Sequence, residues 1–281
     1  MMKRSIFCLI VLFIGFIVSG CMAETSKNSV CPEIVGHRGS SFTAPENTQA
    51  SFMLAWQQDA YAAECDVYLT KDKQIMIMHD KSAKRTGGVD VNITDANSDT
   101  LAKIDIGSWK DAKYKGEKIP FLKDVIKSIP EGRKLIIEVK SGTEILPYLE
   151  EVIKKSGKRK QLEIISFNFD VALGCKKLMP DIPSYWLITT EQNKETKQPI
   201  PHSLKDVDKV KAAGLDGIDS HYAGVTKEFA DKLHADGMKL YVWTVDELAD
   251  AQKMKDMGVD GITTNKPDVM LEYFKNQKEA K

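Results

Sequence analysis

Short apolar runs alternate with amphipathic stretches along most of the chain. Nine runs of strand length stand out: EIVGHRG, AAECDVYLT, QIMIMHD, KLIIEVK, LEIISFN, SYWLIT, DGIDSH, KLYVWTV and DGITTN. Helical patterns separate most of them, among them NTQASFMLAWQQ, LPYLEEVIKKSG, LKDVDKVKAAG, TKEFADKLHADG and DELADAQKMKDMG. Alternation of this kind specifies a parallel sheet. The link between ECDVYLT and QIMIMHD is only Lys71-Asp72-Lys73, however, and a parallel crossover needs roughly a dozen residues or more. Those two runs are predicted to form an antiparallel hairpin, which leaves eight strands for a (β/α)8 barrel. An open doubly wound sheet is the alternative, and no glycine-rich phosphate loop supports it.

Two regions depart from the rhythm. Residues 81–118 are polar, rich in Asp, Lys and Gly, and aperiodic, which reads as an insertion capping the barrel mouth, with the next helix at FLKDVIKSIP. Residues 1–20, MMKRSIFCLIVLFIGFIVSG, combine a short basic start, an apolar run and small residues, the pattern of a secretory signal. Cys21 follows in VSGC, which resembles the lipobox of bacterial lipoproteins. Residues 21–30 are then a lipidated tether and residues 31–281 the folded domain, exported and anchored to a bacterial membrane on its periplasmic or outer face. An ordinary signal peptide followed by an incidental cysteine is the alternative. With Lys3 and Arg4 set aside, 38 basic residues face 40 acidic ones, and this balance excludes a nucleic acid as partner. The remaining Cys31, Cys65 and Cys175 make neither a disulfide framework nor a zinc pattern; they read as single thiols, with one disulfide as the alternative.

The candidate chemistry lies inside the strands. Glu64 and Asp66 are two apart and share a strand face, as do Glu138 and Lys140, while aliphatic neighbours take the other face. With the aliphatic face under the helices, three carboxylates project into the barrel. They must be protonated or hold a cation, and oxygen-only ligation suits magnesium or calcium. His37 and Arg38 end the first strand just before Gly39. Arg38 can grip two phosphate oxygens, Lys140 adds a second positive charge, and two imidazoles can act as base and acid. His79 is the second imidazole. A turn centred near Asp72 puts Asp66 opposite Met78, so His79 faces inward only if a bulge or the strand's end turns it. Among the other histidines, His221 is a candidate for the mouth, His202 a loop residue and His234 a surface one.

In this order and spacing GHRG, PENT, ECDVYLTKD, MHD, EVK and WTV resemble the glycerophosphodiester phosphodiesterase family, from about Ile34 to about Met270. The resemblance implies a (β/α)8 barrel that uses a divalent metal to hydrolyse glycerophosphodiesters to glycerol phosphate and an alcohol. It implies Glu64, Asp66 and Glu138 as metal ligands, His37 and His79 as the acid–base pair, and Arg38 and Lys140 as phosphate contacts. Glu46 lies near the metal and Trp243 lines the glycerol pocket, a plain aromatic filler being the alternative for Trp243. His37 is read as the acid. Asn265 stands where the family often has Asp and receives no role. Two other functions remain open: a phosphatidylinositol-type phospholipase C, which favours an apolar rim that the polar insertion does not offer, and a non-catalytic surface lipoprotein that binds phosphorylated ligands.

Overall fold

The computed structural model describes residues 31–279; the signal segment, Cys21 and the tether lie outside the described residues. Nine strands form one sheet: β1 (Glu33–Gly36), β2 (Ala62–Leu69), β3 (Ile75–Ile77), β4 (Lys134–Val139), β5 (Leu162–Ser166), β6 (Ser184–Ile188), β7 (Gly217–His221), β8 (Lys239–Trp243) and β9 (Gly261–Thr264). Eight of them run parallel and close on themselves, because β1 pairs with both β2 and β9. The ninth, β3, pairs antiparallel with β2, with Val67 opposite Ile77 and Leu69 opposite Ile75. The barrel and its hairpin are those expected from the spacing. Thr70 secures the tight link by donating its backbone N–H to the Gln74 carbonyl and its hydroxyl to Asp72 Oδ1.

The helices are α1 (Gln49–Gln57), α2 (Lys84–Gly87), α3 (Ser98–Leu101), α4 (Leu122–Ser128), α5 (Leu146–Ser156), α6 (Phe169–Leu178), α7 (Leu204–Ala213), α8 (Lys227–Ala235), α9 (Leu248–Met257) and α10 (Pro267–Glu279). Among the described residues, no helix is long and apolar enough to cross a membrane. The outward strand residues, such as Cys65, Val67, Ile137, Val139 and Ile164, pack under α1, α4, α5 and α6; Ile218, Leu240 and Ile262 do so on the other side. Inside the barrel, Val35, Ala62, Ile136, Ile165, Tyr185, Leu187 and Tyr241 fill the middle. Burying these two apolar layers drives closure, at about 25 cal/mol for each Å² removed from water.

Residues 81–118 hold more order than their sequence suggests. They contain α2 and α3 and a small core of their own: Ile93, Leu101, Ile104 and Ile106 join Ile119 against Met76 and Met78 of the hairpin. No periodicity announces this core, since its pieces are only one helical turn long. The insertion reaches the mouth of the barrel, where Lys110 Nζ donates to the Ser41 carbonyl (2.9 Å) and the Tyr114 hydroxyl to the Thr43 carbonyl (3.1 Å). As expected, the helix that follows is α4.

Candidate active site

Strand β1 ends in a sharp turn. Arg38 adopts φ 55° and Gly39 φ 81°, and a Cβ on Gly39 would fall 2.4 Å from the Ser51 backbone. Only glycine fits there, which lets the chain fold onto the start of α1, where Thr48 and Ser51 form a reciprocal cap. The turn leaves His37 and Arg38 side by side at the C-terminal end of the barrel. His37 Nδ1 lies 2.8 Å from Asn265 Oδ1. Asn265 is oriented by Asp246, which accepts from its backbone N–H (2.8 Å) and from its side-chain Nδ2 (2.5 Å), while the Ser41 hydroxyl donates to its Oδ1. Asn265 therefore presents its oxygen to the ring, so Nδ1 carries the proton and Nε2 is a bare acceptor. Burial, then the adjacent Arg38 charge, pushes the pKa of His37 down to about 4.

Glu64, Asp66 and Glu138 are 3, 1 and 8% exposed, and one oxygen from each lies within 4.8 Å of the others. The strand register brings them together, for Asp66 sits directly across from Glu138 in the β2–β4 pairing. Burial, then Asp66 and Glu138, raises Glu64 well above the carboxylate range; burial, then Asp66, raises Glu138 to about 7. Asp66 goes the other way: burial opposes its ionisation, but Lys140 and Arg38 outweigh it and hold the carboxyl low. Lys140 Nζ stands 3.0 Å from Asp66 Oδ1 and 2.7 Å from Glu138 Oε1, and Asn47 Nδ2 donates to Asp66 Oδ2 at 2.7 Å. Glu64 Oε2 accepts the Arg38 backbone N–H (2.8 Å), whereas its buried Oε1 has no hydrogen-bond partner. An orphaned carboxylate oxygen in an all-oxygen cluster fits a hard divalent cation. Glu46 stands beside the cluster through Arg38 (2.8 Å), and its carboxylate also takes Arg85 of the insertion at 2.7 and 2.8 Å.

His79 reaches the same place by leaving the ladder. The Met78 N–H still donates to the Asp66 carbonyl (2.9 Å), but β3 ends at Ile77, and the bend that follows turns His79 to the mouth. Its Nδ1 lies 2.7 Å from Asp80 Oδ1, and Arg85 donates to the other Asp80 oxygen at 2.6 Å. His37, Arg38, Glu64, His79, Glu138 and Lys140 all line one cavity of about 270 Å³. Ile165, Phe167, Leu187, Asp219 and Trp243 form its other wall. A wider hollow of about 620 Å³ opens between Cys31, Glu33 and Arg133 on the one hand and α10 on the other, and it holds none of these groups.

Asn47, Arg85, Asp219 and the Asp246–Asn265 pair belong to the site or its frame but are not among the residues expected from sequence. Asp219 carried a signal, since it alternates with His221 in DGIDSH. His221 packs edge-on to Trp243 (5.3 Å between ring centroids), and with His202 it bonds Thr190, outside the cavity lining. His234 pairs with Asp260 at 2.9 Å. Cys31, Cys65 and Cys175 are free thiols. The rim is less polar than expected: Phe42, Trp109 and Phe167 are each more than two-fifths exposed, and Trp109 comes from the insertion, its indole N–H held by the Ile106 carbonyl.

The model of the glycerophosphoryl diester phosphodiesterase family matches residues 37–269. A glycerophosphodiester phosphodiesterase of Caldanaerobacter subterraneus subsp. tengcongensis is 32% identical over 243 residues, covering 85% of this chain and 96% of that one. A glycerophosphodiester phosphodiesterase of Bacillus subtilis is 29% identical over 293 residues, covering 96% of this chain and 97% of that one. Among solved structures, an Oleispira antarctica phosphodiesterase in complex with the product sn-glycerol-3-phosphate superimposes with a TM-score of 0.77. It is 27% identical, and the match covers 87% of this chain and 97% of that one.

Proposed function

This chain belongs to the glycerophosphoryl diester phosphodiesterase family, and we propose that it hydrolyses glycerophosphodiesters to glycerol 3-phosphate and an alcohol. Glu64, Asp66 and Glu138 would hold a magnesium or calcium ion, with His37 and His79 moving the protons. The observation that carries the reading is a buried carboxylate triad, with Glu64 Oε1 unpartnered, whose Glu64 and Glu138 line one small cavity together with two imidazoles. A bound divalent cation supplies charge for a phosphoryl oxygen. Arg38 and Lys140 offer the fork and the point charge that orient the phosphate.

We assign the proton roles in the opposite sense to the sequence reading, on the state of the His37 ring. A histidine with a pKa near 4 is neutral at pH 7, and Asn265 leaves its Nε2 free, so His37 takes the proton of the attacking hydroxyl. That hydroxyl belongs to water or to the substrate's own glycerol. His79, steadied by Asp80, gives the proton to the departing alkoxide. The test is turnover of glycerophosphocholine with magnesium, with calcium and in excess chelator. Glycerol 3-phosphate and choline should appear with either metal, and full activity without any metal would overturn the ion's role.

We also propose export and membrane attachment through a lipid on Cys21, supported by the signal-like residues 1–20 and the small residues before the cysteine. Cys21→Ser should leave an active enzyme that no longer sediments with membranes. Unchanged sedimentation would refute the anchor.

A further inference from the structure

Asp219 is the one acid lining the cavity that neither the ion site nor the phosphate contacts use. Alternation along β7 turns Gly217, Asp219 and His221 into the barrel. The side chain is 3% exposed, and among the described residues nothing hydrogen-bonds its Oδ1. Its strand neighbours at that level are Leu187 and Tyr241. Glu163 keeps Lys134, Asp66 keeps Lys140 and Asn47, and Glu33 keeps the Tyr241 hydroxyl. Glu163 Oε2 is bare as well, but Glu163 does not line this cavity, and bare Glu64 Oε1 belongs to the ion site. One inward-facing step above Asp219, level with His221 in the β7–β8 register, stands Trp243, whose buried indole Nε1–H also has no partner. Both residues line the cavity that holds His37 and Glu138. A bare acceptor and a bare donor lining one cavity are a standing cost unless a ligand completes them.

A hydroxyl group is the complement, because it accepts one hydrogen bond and donates another. We propose that Asp219 and the Trp243 indole form a hydroxyl-reading subsite for the polyol end of the substrate. The subsite rests on the glycerophosphodiester reading above and adds to it the groups that select the polyol. Burial, followed by the charges of Glu138 and Glu163, raises the Asp219 carboxyl. The subsite works in either protonation state, since a protonated carboxyl donates and accepts while a carboxylate accepts alone. The apolar residues lining the same cavity, Ile165, Phe167 and Leu187, offer neither group a partner. An analogue lacking the hydroxyl therefore leaves both unpaired, and sites of this design reject such analogues strongly.

The experiment measures binding, so it needs no turnover. Calorimetry on the magnesium-loaded full chain would compare glycerol 3-phosphate with 3-hydroxypropyl phosphate and 2-hydroxypropyl phosphate, each lacking one hydroxyl. The wild type should bind at least one deoxy analogue about tenfold more weakly, or worse, than glycerol 3-phosphate. Asp219→Ala should weaken glycerol 3-phosphate to the level of that analogue and erase the difference. Asp219→Asn, which keeps shape and hydrogen bonding, should preserve most of the discrimination, and Trp243→Phe should reduce it. If Asp219→Ala does not fold, Asp219→Asn and Trp243→Phe carry the comparison. Magnesium affinity should stay unchanged in every variant. Equal binding of all three phosphates by the wild type would overturn the subsite. So would discrimination that survives Asp219→Ala, or a matching loss of magnesium affinity. Absence of glycerophosphocholine hydrolysis by the wild type would instead count against the activity.

Discussion

The two walls of the cavity are built from different chemistry. The β1–β2–β4 wall carries Glu64, Glu138, Lys140 and Arg38, backed by buried Asp66, with His37 at its edge and His79 on the adjoining hairpin. The opposite wall, from β5 to β8, is mostly Ile165, Phe167, Leu187 and Trp243, with Asp219 its one charged residue. Fixed charges act more strongly beside a low-dielectric surface than in water, so the apolar wall strengthens the charged one without touching phosphate. Substitutions on the charged wall should therefore act on the chemical step, and those on the apolar wall on affinity and choice of substrate.

The largest effect should come from the carboxylates. Glu64→Gln keeps shape but removes charge; turnover should fall on the order of a thousandfold or more, with weaker metal binding by titration and an unchanged circular dichroism spectrum. The two histidines come next. Replacing a general acid typically costs on the order of a hundred- to ten-thousandfold. His79→Ala should therefore lose most with choline as leaving group and far less with nitrophenol, whereas His37→Ala should damage both alike. Identical losses for the two substrates in both variants would remove the acid from the scheme.

Metal-free stability separates the walls by another route. Glu138 binds its proton more tightly in the folded protein, with a pKa of about 7 against 4.5 when free, and Glu64 shifts in the same direction. Their contribution to stability is present below pH 4.5 and is lost as pH rises through 7. The melting temperature of chelated protein should thus drop between pH 5 and 8 relative to that of magnesium-loaded protein. Apolar-wall variants should leave that gap unaltered. Asn265→Ala frees the His37 ring and should lower kcat about tenfold with little change in KM. Phe167→Ala, at the outer edge of the apolar wall, should raise KM a few-fold and spare kcat.

Legibility in the sequence divides along similar lines. The carboxylates could be read because strand alternation puts Glu64 with Asp66 and Glu138 with Lys140 on one face, a consequence of local geometry alone. The hairpin followed from a link too short for a crossover, and even the pairing of Asp66 with Met78 came from its centre. Asn265 was quoted but given no role, because its orientation depends on Asp246, 19 residues away, and its contact on His37, 228 residues away. The insertion's small core was hidden because Ile93, Leu101, Ile104 and Ile106 follow neither the strand period nor the helix period.

His37 grows from the barrel ring, but His79 stands on a hairpin outside it, steadied by Asp80, Arg85 and the insertion's contacts with the hairpin methionines. The two imidazoles thus belong to separate units of the chain, one in the barrel ring and one on the hairpin. Grafting the hairpin and insertion from one relative into another would transplant an imidazole of the site together with part of the rim. Selectivity and catalytic power would then be inherited as one package, and shortening the graft would cost both.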